Sequence, residues 1–185
     1  VNLETHITFD DVLLVPQYSD IKSRTEVTLA SEMSEGVELR VPIISAPMDT
    51  VCGRLMAERM AEFGALGIVH RYNTIEKQAN IVSQASEAGA KNIGAAIGIT
   101  GDYLERAAAL VEAGVKVLCL DVAHGDHILM HAGAHNIVER FGSKAHIMAG
   151  NIATYTGALA LAQIGVDSVR VGIGGGSICS VSYTH

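Results

Sequence analysis

Between Val41 and Gly172 the sequence alternates short apolar runs with helical patterns at a spacing of about 25 residues, a rhythm that only a few folds can absorb. The runs Val41–Ala46, Gly67–His70, Asn92–Gly98, Val115–Val122, His146–Gly150 and Ser168–Gly172 are the expected strands. The patterns Gly53–Phe63, Thr74–Glu87, Asp102–Ala113, Asp126–Phe141 and Tyr155–Ile164 are the expected helices. Runs such as VPIISA and KVLCLDV are apolar at every position but the last few, as in strands covered on both faces. Gly89, Gly114, Gly142 and Gly165 each fall at or just past a helix end, where a residue without Cβ closes the last turn. The pattern is that of parallel βαβ units.

Two α/β architectures are built from such units. An open doubly wound sheet reverses its strand order and splits its strand ends along a crevice. A (β/α)8 TIM barrel gathers all of them around one mouth. Here polar or glycine residues close every expected strand: Asp49, His70, Gly98, Asp121, Asn151 and Gly172. That favours the barrel. About six βα units are present, so residues 1–185 read as one partial barrel domain, its N-terminal three-quarters, with open edges at the first and sixth strands.

Composition narrows the function. Half the chain is hydrophobic, at 49%, enough for a sizeable core in 185 residues. No apolar run approaches the roughly 20 residues of a membrane helix, and the N-terminus lacks the layout of a secretion signal. A net charge of −7 with no Lys/Arg stripe argues against a nucleic-acid surface. Cys52, Cys119 and Cys179 are few and odd in number, which suits reduced thiols in a cytoplasmic protein.

The chemistry concentrates at Val169–Cys179, VRVGIGGGSIC. A β-branched run leads into a glycine turn whose N–H groups can approach an anion closely. Ser177 adds a hydroxyl and Cys179 a nucleophilic thiol. Together they suggest covalent chemistry on a phosphorylated small molecule.

Six segments in this order resemble the catalytic barrel of the IMP dehydrogenase/GMP reductase family: TFDDVLLVPQYS (Thr8–Ser19), PIISAPMDTV (Pro42–Val51), GALGIVHR (Gly64–Arg71), LDVAHG (Leu120–Gly125), AGNIAT (Ala149–Thr154) and VRVGIGGGSIC. After the cysteine the sequence reads SVSYTH, which departs from the family's usual continuation. The resemblance implies an NAD-dependent oxidation of IMP to XMP in guanine nucleotide synthesis. Cys179 would attack C2 of the purine, hydride would pass to NAD, and the covalent intermediate would be hydrolysed. Ser177 would hold the IMP phosphate. Met48 would touch the base, and Asn151 and Arg170 would serve as polar positions around the substrate. Asp121 would bond a ribose of NAD, with Val122, Ala123, Gly172 and Gly174 lining the same pocket. Backbone carbonyls of Gly174, Gly176 and Cys179 would hold a potassium ion. A homotetramer is implied for the full-length form. His70 leads through Tyr72–Gly89 straight to the third strand, which leaves no room for the regulatory CBS modules many dehydrogenases insert there.

Alternatives remain open. Ser45–Val51 looks like the dehydrogenase, whereas LCLDVAHG and IMAGNIAT sit close to GMP reductase, which converts GMP to IMP with NADPH. A catalytically inactive fragment is a third reading, since family residues beyond the sixth strand have no counterpart here. His124, His127, His131 and His135 recur at helical spacing, which could make a metal-binding module or a solvated helix face. Asp121 could instead cap the following helix, and Asp49 the first.

Overall fold

The computed structural model describes residues 11–34 and 36–172. A short antiparallel hairpin, β1 (Ser31–Ser34) and β2 (Val37–Leu39), comes first. Five parallel strands follow: β3 (Gly67–Val69), β4 (Ile93–Ile97), β5 (Val117–Asp121), β6 (His146–Ile152) and β7 (Ser168–Val171). Five helices alternate with them: α1 (Arg54–Glu62), α2 (Ile75–Glu87), α3 (Tyr103–Glu112), α4 (Ile128–Phe141) and α5 (Tyr155–Ile164).

The sheet order is β3-β4-β5-β6-β7, so each strand lies beside its successor and the order never reverses. A doubly wound sheet requires a reversal. Among the described residues none exists.

Successive strand residues point to opposite faces, so each strand serves two cores. One face carries Val69, Ile97, Leu118, Leu120, Ile147 and Ala149, and packs against helix residues such as Ala57, Val82, Leu110, Ile137 and Leu161. The other carries Ile68, Ala96, Val117, Cys119 and Met148, and is covered by Val37 and Leu39 of the hairpin. His146 ties that cover down: its Nδ1 lies 2.7 Å from Ser34 Oγ and its Nε2 2.7 Å from Ser168 Oγ. The hairpin therefore closes this face at the N-terminal ends of the strands.

Three sequence expectations need correction. Val41–Ala46 forms no strand; it touches β3 through the single parallel bridge Ile44–Leu66. The Ser45 hydroxyl accepts from Ile68 N at 3.1 Å, where a regular ladder would offer a carbonyl, and Ile43 and Ile44 are exposed. Pro42 lies within this segment and Pro47 directly follows it, and each lacks a ladder donor. The hairpin was not expected at all: its strands are short, and only β2 shows clean burial alternation. Asp49 does not cap α1, whose N-cap is Gly53 with no side-chain bond. The expected glycine closures hold at Gly89, Gly114 and Gly165, all left-handed at φ 96, 91 and 96°. Gly142 instead stays right-handed.

Candidate functional site at the carboxyl ends of the strands

The sheet register sets Asp121, Gly150 and Arg170 in one row across β5, β6 and β7. Strands lie about 4.8 Å apart, so the first and third of these residues are separated by roughly 10 Å of backbone. Gly150 lies between them without a side chain. Across that gap Arg170 Nη1 donates to Asp121 Oδ1 at 2.5 Å and approaches Cys119 Sγ at 3.6 Å. The glycine is obligatory: a Cβ at 150 would stand 2.6 Å from Arg170 Cβ and 2.8 Å from Arg170 O.

The ion pair is largely shielded, with side-chain exposures of 27% for Arg170 and 21% for Asp121. Burial pushes the Cys119 thiol up to about 11, against the opposing pull of the Arg170 guanidinium. Cys119 is therefore a neutral packing group at neutral pH.

Beyond this row the chain bends around Asn151. Its N–H donates to Val122 O at 2.8 Å, and its carbonyl accepts from Gly125 N at 2.6 Å. Gly125 is also held close, since a Cβ there would meet Asn151 O at 2.8 Å. These bonds consume the backbone of Asn151 and leave its side chain over. Asn151 Oδ1 is buried and has no hydrogen-bond partner among the described residues. A buried acceptor without a donor costs about 1–3 kcal/mol, and such an atom at a strand end is a position a ligand donor would satisfy. Gly172, at φ 132°, donates to Ile152 O at 2.8 Å and directs the chain out of β7.

On the far side of the strand ends, β3 passes into His70–Thr74. His70 N donates to Cys52 O at 3.2 Å, and Arg106 Nη1 donates to Asn73 O at 3.0 Å and to Gln78 Oε1 at 2.9 Å. Gln78, fully buried, donates in turn to Val69 O and Ala96 O, clamping the ends of β3 and β4. Burial depresses the His70 imidazole below its usual range, with Asp49 pulling the other way.

A profile of the IMP dehydrogenase / GMP reductase domain matches residues 6–184. The chain belongs to this family. It is 33% identical to an inosine-5'-monophosphate dehydrogenase of Cryptosporidium parvum, over 97% of this chain and 54% of that protein. A similar comparison with the inosine-5'-monophosphate dehydrogenase of Nitrosopumilus maritimus gives 28% identity over 94% of this chain and 62% of the relative. A GMP reductase of Buchnera aphidicola is 33% identical over 93% of this chain and 51% of its own length. The chain thus spans little more than half the length of the relatives it matches.

Within this family frame, Asp121, Asn151, Arg170 and Gly172 come together at the ends of three adjacent strands. Arg170 is engaged by Asp121 and Cys119, so its described contacts are with the protein. Val122 packs its side chain against the helix-side core and contributes backbone alone, through its N–H to Gly150 O at 3.0 Å. Ala123 is exposed on the following loop. Met48, 37% exposed, lies beyond β3 at the opposite edge of the sheet from Arg170. Gly174, Gly176, Ser177 and Cys179 lie outside the described residues.

The capping alternative for Asp121 fails, because His127 is the N-cap of α4 and its Nδ1 accepts from Leu129 N at 3.1 Å. The same bond removes one ligand from the histidine row. His131 Nε2 lies 3.2 Å from Asp126 Oδ1 without hydrogen-bond geometry, and His124 and His135 are exposed. No group of three or more His, Cys, Asp or Glu among the described residues is placed to hold a metal ion, so the metal-module alternative is corrected. No helix among them is long and apolar enough to cross a membrane.

Sequence reasoning missed Cys119, Gly150 and Arg71. Cys119 was legible, since it stands two residues before Asp121 and so shares its face. The role of Gly150 appears only once the register puts it between two charges.

Proposed function

We propose that this chain carries the first part of the catalytic (β/α)8 barrel of an IMP dehydrogenase, which oxidises IMP to XMP with NAD through a covalent bond to Cys179. The single observation that carries the reading is the row Asp121–Gly150–Arg170. It sets an ion pair and the unsatisfied Asn151 Oδ1 at the strand ends, with Arg170 two residues before the glycine run that leads to Ser177 and Cys179. The unreversed strand order supports a barrel.

In this reading the Cys179 sulfur adds to C2 of the purine, and the hydrogen at C2 leaves as hydride. NAD, when bound, supplies the hydride acceptor. Water then cleaves the C2–S bond, which releases XMP and restores the thiol. Ser177 and the glycine N–H groups hold the phosphate. The residues fit a dinucleotide on the cofactor side. Asp121 keeps its second carboxylate oxygen for a ribose hydroxyl, while Arg170 fixes the orientation of the first. Asn151 Oδ1 would accept from an amide or hydroxyl donor of a ligand. The positions expected to hold potassium, Gly174, Gly176 and Cys179, would do so through backbone oxygens alone. β3 passes to α2 directly through His70–Thr74, which supports a form without CBS modules.

The resemblance of the Buchnera GMP reductase at 33% identity favours a second reading, reduction of GMP to IMP with NADPH on the same framework. Intact mass spectrometry after incubation with IMP and NAD, beside a Cys179→Ala control, tests both. A thiol adduct of purine-nucleotide mass that vanishes in the control supports the dehydrogenase. Stabilisation by GMP and NADPH with no IMP adduct supports the reductase. Neither response refutes both.

A further inference from the structure

A cation stands at the strand ends with nothing assigned to it. Arg71 leaves β3 two residues after Val69, and its guanidinium turns across the sheet: Arg71 Nη1 lies 3.8 Å from where a Cβ of Gly98 would be. Gly98 follows β4 on the face of Gly94 and Ala96, the face that carries Asp121 and Arg170. The guanidinium therefore reaches as far as the carboxyl end of β4, within van der Waals distance of position 98.

Arg71 is held in place and yet chemically unspent. Its planar head stacks over the Tyr72 ring at 5.4 Å from the centroid. Its backbone sits in the segment pinned by the His70 N–H to Cys52 O and by Arg106 to Asn73 O. Arg71 Nε is buried with no hydrogen-bond partner among the described residues, and no carboxylate there forms an ion pair with the guanidinium. Asp49, the nearby acid, acts on His70, and Lys77 adds further positive charge beside it. Buried donors are almost always satisfied, so an unsatisfied guanidinium nitrogen at a rigid mouth indicates an anion that arrives from outside.

We propose that Arg71 is a phosphoryl-anion contact at the mouth, and that its occupant is the diphosphate of the dinucleotide whose ribose Asp121 would hold. This rests on the reading of the site given above. The distance favours a dinucleotide. Arg71 lies two strand spacings from Asp121, about 10 Å, and four from β7, about 19 Å along the sheet. The former suits a group within the same cofactor. Along the sheet β7, which leads toward the expected phosphate loop, is twice as far from Arg71 as Asp121 is.

The test is titration calorimetry of the full chain with ADP-ribose, which carries the diphosphate without nicotinamide, beside adduct formation with IMP and NAD. Arg71→Gln should weaken ADP-ribose binding by about ten- to a hundredfold, the loss expected for charge-assisted bonds. Arg71→Lys should recover part of it, and both variants should still form the Cys179 adduct at saturating NAD. Unchanged ADP-ribose affinity in Arg71→Gln overturns the inference. So does weakened IMP binding with ADP-ribose unaffected, which would assign the cation to the mononucleotide phosphate. If wild-type protein forms the adduct but binds no ADP-ribose, the inference falls and the dehydrogenase reading stands. If it forms no adduct and binds neither ligand, both fall.

Discussion

Replacing Gly150 with alanine adds one methyl group at the point where three strands and two charges meet. The methyl would stand 2.6 Å from Arg170 Cβ and 2.8 Å from Arg170 O, atoms that cannot swing away because they belong to β7 itself. Overpacking of this kind costs about 1–3 kcal/mol. Moving β7 outward also breaks the pair between Arg170 and Asp121. That pair is neither surface nor deeply buried, at 27% and 21% exposure, so its loss adds about 1–2 kcal/mol. The total is about 3 kcal/mol. With a urea slope of roughly 2–3 kcal/mol/M for a domain of this size, the unfolding midpoint should fall by about 1 M. Gly53→Ala is the control: nothing lies within 4 Å of its added Cβ and its φ is −95°, so it should cost only the preference of an N-cap for glycine over alanine, about 0.5–1 kcal/mol. An Asp121→Asn background should reduce the cost of Gly150→Ala by the share of the pair. Equal midpoints for Gly150→Ala and Gly53→Ala would refute the close-approach argument. A Gly150 cost unchanged by Asp121→Asn would refute the link to the ion pair alone.

Other consequences can be measured on the same protein. Burial holds the imidazoles of His146 and His70 below their usual range, so the unfolded chain takes up protons first as pH falls. Stability should be full above about pH 6.5, decline as pH drops below it, and level off below the folded values. Thermal melts from pH 8 to pH 5 check this, and His146→Gln should flatten the slope; a slope of opposite sign refutes it. Gln78→Leu strips donors from Val69 O and Ala96 O and an acceptor from Arg106, and should cost about 3 kcal/mol in urea unfolding. Burial raises the thiols of both Cys52 and Cys119, so iodoacetamide at pH 8 should leave them unmodified in native protein and alkylate them in urea. Peptide mapping that finds Cys119 modified without denaturant would contradict its placement.

β4 and β5 were legible because each is a mostly apolar run of five residues, and burial on both faces leaves no room for alternation. Helix ends were legible wherever a glycine closes left-handed, as at Gly114 and Gly165. Val41–Ala46 misled for a physical reason. Its composition is that of a strand, yet Pro42 and Pro47 remove donors and the Ser45 hydroxyl takes the place of a carbonyl acceptor, so a single bridge forms. The hairpin escaped notice because Ser31–Ser34 is mostly polar and part-exposed; only Val37 and Leu39 are driven inward. Its reason for existing is tertiary, to cover Val117 and Met148 on a face the sequence could not show to be open.

The site follows a similar division. Which residues carry charge and which end a strand can be read from the chain in one dimension; Asp121 and Asn151 were singled out that way, and Arg170 through the family resemblance. What each does depends on register, which a parallel sheet fixes through connections about 25 residues long. The registers of β5 with β6 and of β6 with β7 bring Arg170 to Asp121, because a glycine separates them. The same register argument explains why Arg71 differs. Its guanidinium reaches the end of β4, and its Nε is buried without a hydrogen-bond partner among the described residues. Two arginines at one end of a sheet thus have opposite fates, one spent on holding the frame and one kept for a ligand. Exchanging them should separate the effects: Arg170→Gln should lower stability and Arg71→Gln should not.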